Sequence, residues 1–232
     1  MRRSLAVIAF VAVAAVTIAA THDVPTRVTA ADTAAANALL GDEIAAPAAP
    51  ESFAEEIALI GAVQDRVLAA APENEGIPEG QPRELADLMR FGKGLCFDRS
   101  RAIETILRSL GFETRHAAIY STAATGSALK SIATPRTPSH AVTEVKTRGG
   151  WLLVDSNQRW IGLTADGRAI DLGELRRQAD RRWHPLVRTP LPPIYADGRF
   201  TFVYGLYSRH GRFYPPYNIV PDVNWAELAQ NI

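Results

Sequence analysis

Residues 92–115 read GKGLCFDRSRAIETILRSLGFETR and contain Cys96, the only cysteine of the 232-residue chain. Apolar positions recur after it with helical spacing, and Gly111 follows the last of them, as a glycine often does at a helix C-terminus. The glycines ahead of Cys96 predict a turn that delivers the thiol to the first turn of this helix. A sulfur there lies near unpaired N–H groups and the positive end of the helix dipole, which favour thiolate over thiol. The stretch therefore indicates a nucleophile.

The residues after this helix show the pattern of an antiparallel sheet. Residues 112–120 alternate in polarity, which predicts a first strand. The runs SHAVTEVKT (139–147) and WLLVD (151–155) follow, and Arg148-Gly149-Gly150 joins them, which is a hairpin signal. The sequence thus predicts a cysteine at the start of a helix, followed by a strand and a β-hairpin.

The length of the hairpin turn decides whether a histidine and a carboxylate can meet. A two-residue turn places Lys146 opposite Trp151 and His140 diagonal to Asp155 on the same face, within reach of each other. A four-residue turn would place His140 and Asp155 directly opposite. A three-residue turn would put them on opposite faces unless a bulge intervenes.

These three side chains are the parts of a Cys-His-Asp triad. In that interpretation Cys96 attacks an acyl carbon, His140 takes the thiol proton and later delivers it to the leaving group, and Asp155 fixes the imidazole tautomer. Structural alternatives stay open, because Cys96 could be a buried apolar residue and Asp155 could cap the turn before Ser156.

The oxyanion of such a reaction needs hydrogen-bond donors. The backbone N–H of Cys96 is the natural first donor, and Lys93, Asn157 and Gln158 are candidates for the second. We interpret His116 as structural, because the sequence shows no carboxylate matched to it.

Four motifs occur in order over roughly residues 85–160: G-x-C-x-x-x-S/A, L-x-x-L-G-F-x-x-R, S-H-A-x-x-E-V and G-W-x-x-x-D. Together they resemble the core of the transglutaminase-like superfamily. The matching residues are Gly94, Cys96, Leu107, Leu110, Gly111, Phe112, Arg115, His140, Ala141, Glu144, Val145, Gly150, Trp151 and Asp155. The resemblance implies an α+β fold of papain-like architecture, in which N-terminal helices and the cysteine helix pack on an antiparallel sheet. It also implies Cys96 as nucleophile, His140 as base and Asp155 as orienting residue.

The resemblance favours a thiol-dependent amide-bond hydrolase or acyl transferase that needs no cofactor. The tryptophan beside the cysteine of animal transglutaminases is missing here, and no acidic calcium loop is evident. The superfamily also holds inactive relatives, so the alternative is a catalytically silent module that binds a peptide, a polysaccharide or an envelope assembly partner. A redox-sensing thiol is a weaker third hypothesis, because the chain has no resolving cysteine.

The N-terminal region predicts export. Residues 1–20 join two arginines to an apolar run that ends in small residues, which indicates a signal peptide or a membrane anchor and a periplasmic or other extracytoplasmic location. Residues 21–50 contain ten alanines and few large apolar side chains, which predicts a flexible Ala/Pro-rich linker.

The remaining chain divides into a domain and an extension. We assign residues 51–184 to the transglutaminase-like domain, starting with a helix that Ser52 and Glu55 cap and that runs to about residue 71. Further helices are predicted over residues 83–90 and 172–182, with a long loop over 121–138.

Residues 185–232 are predicted to form an extension that packs on this domain. Seven prolines lie between residues 185 and 221, and five of the six tyrosines lie between Tyr195 and Tyr217. The aromatic residues either complete the core or line a substrate groove, with Tyr207, His210 and Tyr214 as candidate substrate contacts. No second histidine, cysteine or acid stands at ligand spacing near His210, so no metal site is predicted.

Composition narrows the class of partner. The chain carries 25 basic and 25 acidic residues, so its formal net charge is zero and no nucleic-acid partner is implied. We expect a protein, a peptide or an envelope polymer as substrate, and the sequence leaves the oligomeric state open.

Overall fold

The structure is a computed structural model that describes residues 22–41, 49–78, 81–177, 183–184, 187, 189–207 and 222–232. Within these ranges the helices are α1 (Ala30–Leu40), α2 (Phe53–Ala70), α3 (Leu85–Phe91), α4 (Cys96–Ser109), α5 (Ala128–Ala133), α6 (Leu172–Arg177) and α7 (Trp225–Leu228). The strands are β1 (Thr114–Ser121), β2 (Ser139–Thr147), β3 (Gly150–Val154), β4 (Phe200–Tyr204), β5 (Leu206–Tyr207) and β6 (Asp222–Val223), and a 3-10 helix spans Pro193–Gly198.

An antiparallel sheet of four strands organises the molecule, in the order β3-β2-β1-β4. Helix α4 packs against β2 and β1, which confirms the predicted α+β fold. Strand β4 comes from the predicted C-terminal extension, so residues 200–204 are a strand of the main sheet and not a tail laid over it. Among the described residues, no helix combines the length and the apolar character that a bilayer crossing requires.

Helix α4 lies where the sequence predicts it. It begins at Cys96, and the chain leaves it through Gly111, whose φ of +90° is a left-handed conformation that suits glycine. Ile103, Ile106 and Leu107 are fully buried in the main core, and each such side chain contributes about 1.5–3 kcal/mol relative to exposure. This packing holds the first turn of α4, and with it the thiol, beside the sheet.

The predicted flexible linker over residues 21–50 does not hold for residues 22–41. Thr29 caps α1, and the side chains of Ala36 and Leu40 are buried in the core. Val24 also donates a backbone hydrogen bond of 2.9 Å to Val223. Alanine has the highest helix propensity, so this alanine-rich run forms a helix that Thr29 caps and that packs one face against the core.

Smaller differences concern element boundaries. Ser52 caps α2 as predicted, but the Glu55 carboxylate accepts the N–H of Glu51 rather than that of Ser52. Helix α3 begins two residues later than predicted, because Arg83 has a φ of +60°. The predicted loop over residues 121–138 contains the short helix α5. Of the predicted helix over 172–182, residues 178–182 lie outside the described part of the chain.

Candidate active site

Cys96 is the first residue of α4 and is partly exposed. The backbone N–H of Leu95, the residue before Cys96, donates to the buried carboxylate of Asp98 at 3.0 Å. The same carboxylate pairs with Arg83 at 2.8 Å. Burial raises the pKa of Asp98, while these donors act in the opposite direction. Among the described residues, none accepts the backbone N–H of Cys96, which is therefore available to a ligand.

The hairpin brings His140 and Asp155 together. Lys146 pairs with Trp151 across the two strands, which confirms the register of the two-residue turn. Asp155 directly follows β3, and its Oδ2 lies 2.8 Å from Nε2 of His140. Since Nε2 binds the carboxylate, Nδ1 is the ring nitrogen left for the thiol.

Asp155 is fully buried and is surrounded by donors. Its Oδ1 accepts the backbone N–H groups of Asn157 and Gln158 at 2.8 and 2.9 Å, and its Oδ2 also accepts the hydroxyl of Tyr195 at 2.6 Å. Burial alone would raise the pKa of Asp155, but the charge and hydrogen bond of His140, followed by the Tyr195 hydroxyl, bring it below the ordinary value. The carboxylate is therefore ionised at neutral pH.

The imidazole of His140 is almost fully buried and is held in its charged form. Burial opposes the charge, but the charge and the hydrogen bond of Asp155, together with the hydrogen bond and the charge of Cys96, raise the pKa of His140 to about 10. At neutral pH the ring thus carries a proton that faces the sulfur. This arrangement can stabilise a thiolate and supply a proton to a leaving group.

Tyr195 is a site residue that the sequence analysis did not find. It lies in the 3-10 helix Pro193–Gly198, and its ring packs near Trp160 and Phe200 with centroid distances of 5.4 and 5.9 Å. Burial and the neighbouring Asp155 charge raise the pKa of Tyr195 well above its usual range, so it remains a donor. No local pattern marks this tyrosine, which lies 40 residues after its partner.

A side chain of α2, Gln64, stabilises the turn that follows Asp155. The side-chain amide of Gln64, which is buried, donates to the carbonyl oxygens of Asp155, Gln158 and Trp160 at 2.7–2.9 Å. Gln64 therefore fixes the backbone that carries the carboxylate. Sequence reasoning missed this role because a glutamine on a helix face gives no sign of its distant partners.

Arg99 lies close to the thiol, on the first turns of α4, and is buried. Its guanidinium group binds carbonyl and amide oxygens rather than a carboxylate. Nε donates to the carbonyl of Ala71, Nη2 to that of Glu73, and Nη1 to the side chains of Asn74 and Asn157. Burial lowers the pKa of Arg99, and the charge of Cys96 counteracts this effect.

A cleft of about 260 Å³ opens beside the His140–Asp155 pair. Its lining contains no further charged side chain and is rich in proline: Pro138, Ser139, His140, Asp155, Asn157, Gln158, Pro192, Pro193 and Ile194. Two of the candidate oxyanion donors, Asn157 and Gln158, therefore border the cleft, whereas Lys93 pairs with Glu75 at 3.1 Å.

The predicted substrate contacts lie elsewhere or outside the described residues. Tyr207 is 2% exposed, and its hydroxyl donates to the buried carboxylates of Glu104 and Glu227, so this side chain has almost no surface to offer a substrate. His210 and Tyr214 fall outside the described part of the chain. Tyr207 belongs to a structural polar cluster.

His116 lies in the same cluster and, contrary to the prediction from the sequence, has a carboxylate partner. Its Nδ1 lies 2.6 Å from Glu104, so the histidine does have a matched carboxylate, contributed by α4. Its ring stacks on Tyr207 with a centroid distance of 4.3 Å. The residue is buried, which agrees with the structural role that we assigned to it.

Among the described residues, no group of three or more His, Cys, Asp or Glu side chains could hold a metal ion.

The family comparison agrees with this arrangement. The sequence model described as the transglutaminase-like superfamily matches residues 38–156, which is 119 of the 232 residues and includes Cys96, His140 and Asp155. The match begins within α1, in the region that the sequence analysis assigned to a linker. A search of curated proteins found no match.

Proposed function

The chain belongs to the transglutaminase-like superfamily, and from this premise we propose that it is a thiol-dependent enzyme that hydrolyses or transfers the acyl group of an amide. One arrangement carries the proposal: buried His140 is hydrogen-bonded to buried Asp155 at 2.8 Å, and Cys96, partly exposed at the start of α4, helps to raise the pKa of the same imidazole. A histidine with a purely structural role needs only its carboxylate partner. His140 interacts in addition with Cys96, the residue that can act as a nucleophile.

The reaction would proceed in two stages. The Cys96 sulfur attacks the carbonyl carbon of the amide, and the carbonyl π electrons move to the oxygen. When the tetrahedral intermediate collapses, the C–N bond breaks, and the leaving nitrogen takes the proton held by His140. An acyl thioester remains on Cys96. Water or an amine then attacks it, gives a proton to His140 and releases the thiolate.

Asp155 contributes by keeping His140 charged and in one orientation. Its two oxygens are each held by two donors, so the carboxylate cannot rotate away from the imidazole without breaking hydrogen bonds. Such preorganisation costs nothing at the moment of reaction. The charged His140 can therefore donate its proton directly to the leaving nitrogen.

The substrate class follows from the proposed location and from the cleft. We propose that the protein is exported through residues 1–20 and acts on a protein, a peptide or an envelope polymer. Apart from His140 and Asp155, the cleft wall is uncharged and contains three prolines, which suits an uncharged side chain or sugar next to the scissile bond.

An acylation experiment tests the proposal. The purified chain is incubated with p-nitrophenyl acetate and with a library of peptide amides, and the acyl adduct is located by peptide mass spectrometry. We expect the adduct on Cys96, its loss in Cys96→Ser, and a fall of about 10²-fold or more in His140→Ala.

His116→Gln is the matched control, because it removes a histidine that also pairs with a buried carboxylate but lies outside the site. We expect acylation of Cys96 in His116→Gln to remain at the wild-type rate. Equal acylation of the wild type and His140→Ala would contradict the enzymatic proposal and leave the silent binding module.

A further inference from the structure

The side-chain amide of Asn157 has a fixed orientation. Arg99 donates from Nη1 to Oδ1 of Asn157 at 2.7 Å. A guanidinium group has donors and no acceptor, so the amide oxygen must face Arg99 and the NH₂ group must point the other way. The backbone of Asn157 is fixed as well, since its N–H donates to Asp155 at 2.8 Å. Both ends of this residue are therefore held.

The NH₂ group of Asn157 is free to serve a ligand. Among the described residues, none accepts a hydrogen bond from it, and the residue is exposed and lines the cleft beside His140. Arg99 is buried and lies three residues after Cys96, so the amide of Asn157 is held from the helix that carries the thiol. The amide is thus a donor that is oriented before substrate binds.

The other candidate donors are less well prepared. Lys93 pairs with Glu75 on the surface. Gln158 lines the same cleft, but its described hydrogen bonds are made by its backbone and leave its side-chain amide without a fixed direction. An unfixed donor loses side-chain entropy when it binds, whereas Asn157 does not.

We propose that Asn157, oriented by Arg99, is the second oxyanion donor of the site, acting together with the backbone N–H of Cys96. The inference rests on the proposed function. When the Cys96 sulfur bonds to the carbonyl carbon, the π electrons move to the oxygen, and the Asn157 N–H group donates to that oxygen. Asn157 is then a catalytic residue, and Arg99 is the residue that positions it.

Two reactions of the same thiol separate this role from a structural one. Acylation by p-nitrophenyl acetate passes through a tetrahedral oxyanion and releases p-nitrophenolate. Alkylation by iodoacetamide forms a C–S bond at a saturated carbon and releases iodide, without charge on a carbonyl oxygen. Loss of an oxyanion donor should therefore slow acylation about 100-fold and leave alkylation nearly unchanged.

The variants Asn157→Leu and Asn157→Asp both remove the donor, and Asn157→Asp keeps an acceptor for Arg99. We expect the ratio of acylation to alkylation at Cys96 to fall in both. The matched control is Asn74→Leu, which removes another oxygen partner of Arg99 that does not line the cleft, and which should keep the wild-type ratio.

The outcomes distinguish this inference from the proposed function. Acylation within about threefold of wild type in both Asn157 variants would overturn the assignment of the donor, as would an equal fall of both reactions. Failure of the wild type to be acylated at Cys96 faster than His140→Ala would instead overturn the proposed function.

Discussion

The hydroxyl of Tyr195 donates, at 2.6 Å, to the same Asp155 oxygen that binds Nε2 of His140. Two donors thus share one carboxylate oxygen, one from the hairpin and one from the C-terminal part of the chain. The matched family region ends at residue 156, so Tyr195 lies outside it. The C-terminal segment is therefore part of the candidate site.

Replacing Tyr195 by phenylalanine should shift the acid side of the activity profile. The change removes a hydrogen bond that lowers the pKa of Asp155, so this pKa should rise and activity should disappear at a higher pH as the solution is acidified. The free energy of unfolding should fall by about 1.5–3 kcal/mol, the usual contribution of a hydrogen bond to a charged group. Acylation rates from acid to neutral pH and urea unfolding measure the two effects.

The control for Tyr195 is Tyr204→Phe, which removes a hydroxyl bound at 3.0 Å to the buried carboxylate of Glu144. It should lower stability to a similar extent and leave the pH profile in place. An unchanged profile in Tyr195→Phe would show that this tyrosine does not act on the His140–Asp155 pair.

The His140–Asp155 pair should make stability depend on pH in the alkaline range. The pKa of His140 is raised from 6.5 to about 10 in the folded chain, so its contribution is fully present below about pH 6.5 and is lost as the pH rises through about 10. The difference in unfolding free energy between wild type and His140→Gln should shrink over that interval. Urea unfolding at several pH values measures it, and a constant difference would contradict a raised pKa.

Helix α1 should contribute to the stability of the core. Leu40 is 1% exposed, so Leu40→Ala should cost about 2–5 kcal/mol of unfolding free energy. Asn37→Ala, on the exposed face of the same helix, should stay within about 0.5 kcal/mol. Urea unfolding compares the two variants. Equal free energies of unfolding for the two variants would show that α1 does not stabilise the core and acts only as a linker.

Arg115 and Glu144 should behave as a structural ion pair. They face each other across β1 and β2, with Nη2 and Oε2 2.6 Å apart, and Arg115 lies between the rings of Trp151 and Tyr204. Arg115→Met would leave Glu144 buried without its counter-charge, at a cost of about 3–5 kcal/mol. The double variant with Glu144→Gln should recover part of this loss in urea unfolding. Additive losses would contradict the pairing.

The features that follow from local rules could be predicted from the sequence. The start of α4 at Cys96 follows from a glycine turn and a helical period, and the His140–Asp155 contact follows from the length of one hairpin turn. Each of these depends on residues that are neighbours in the chain or across one strand pair.

The remaining features depend on long-range contacts that leave no local pattern. Gln64 and Tyr195 meet the turn after β3 from 91 and 40 residues away. The packing of α1 depends on a core that the alanine-rich segment cannot predict by itself, and the carboxylate beside His116 comes from another element. Propensity and periodicity describe single elements, whereas these contacts arise from how the elements pack.

The central claim is that His140 activates the sulfur of Cys96, and the rate of iodoacetamide alkylation of Cys96 tests it most directly. We predict that wild type and His116→Ala are alkylated equally fast at about pH 6–7, and that His140→Ala is slower by about tenfold or more. If all three proteins react alike, with rates that rise only near pH 8.5 as for a free thiol, the imidazole does not activate the sulfur and the account is contradicted.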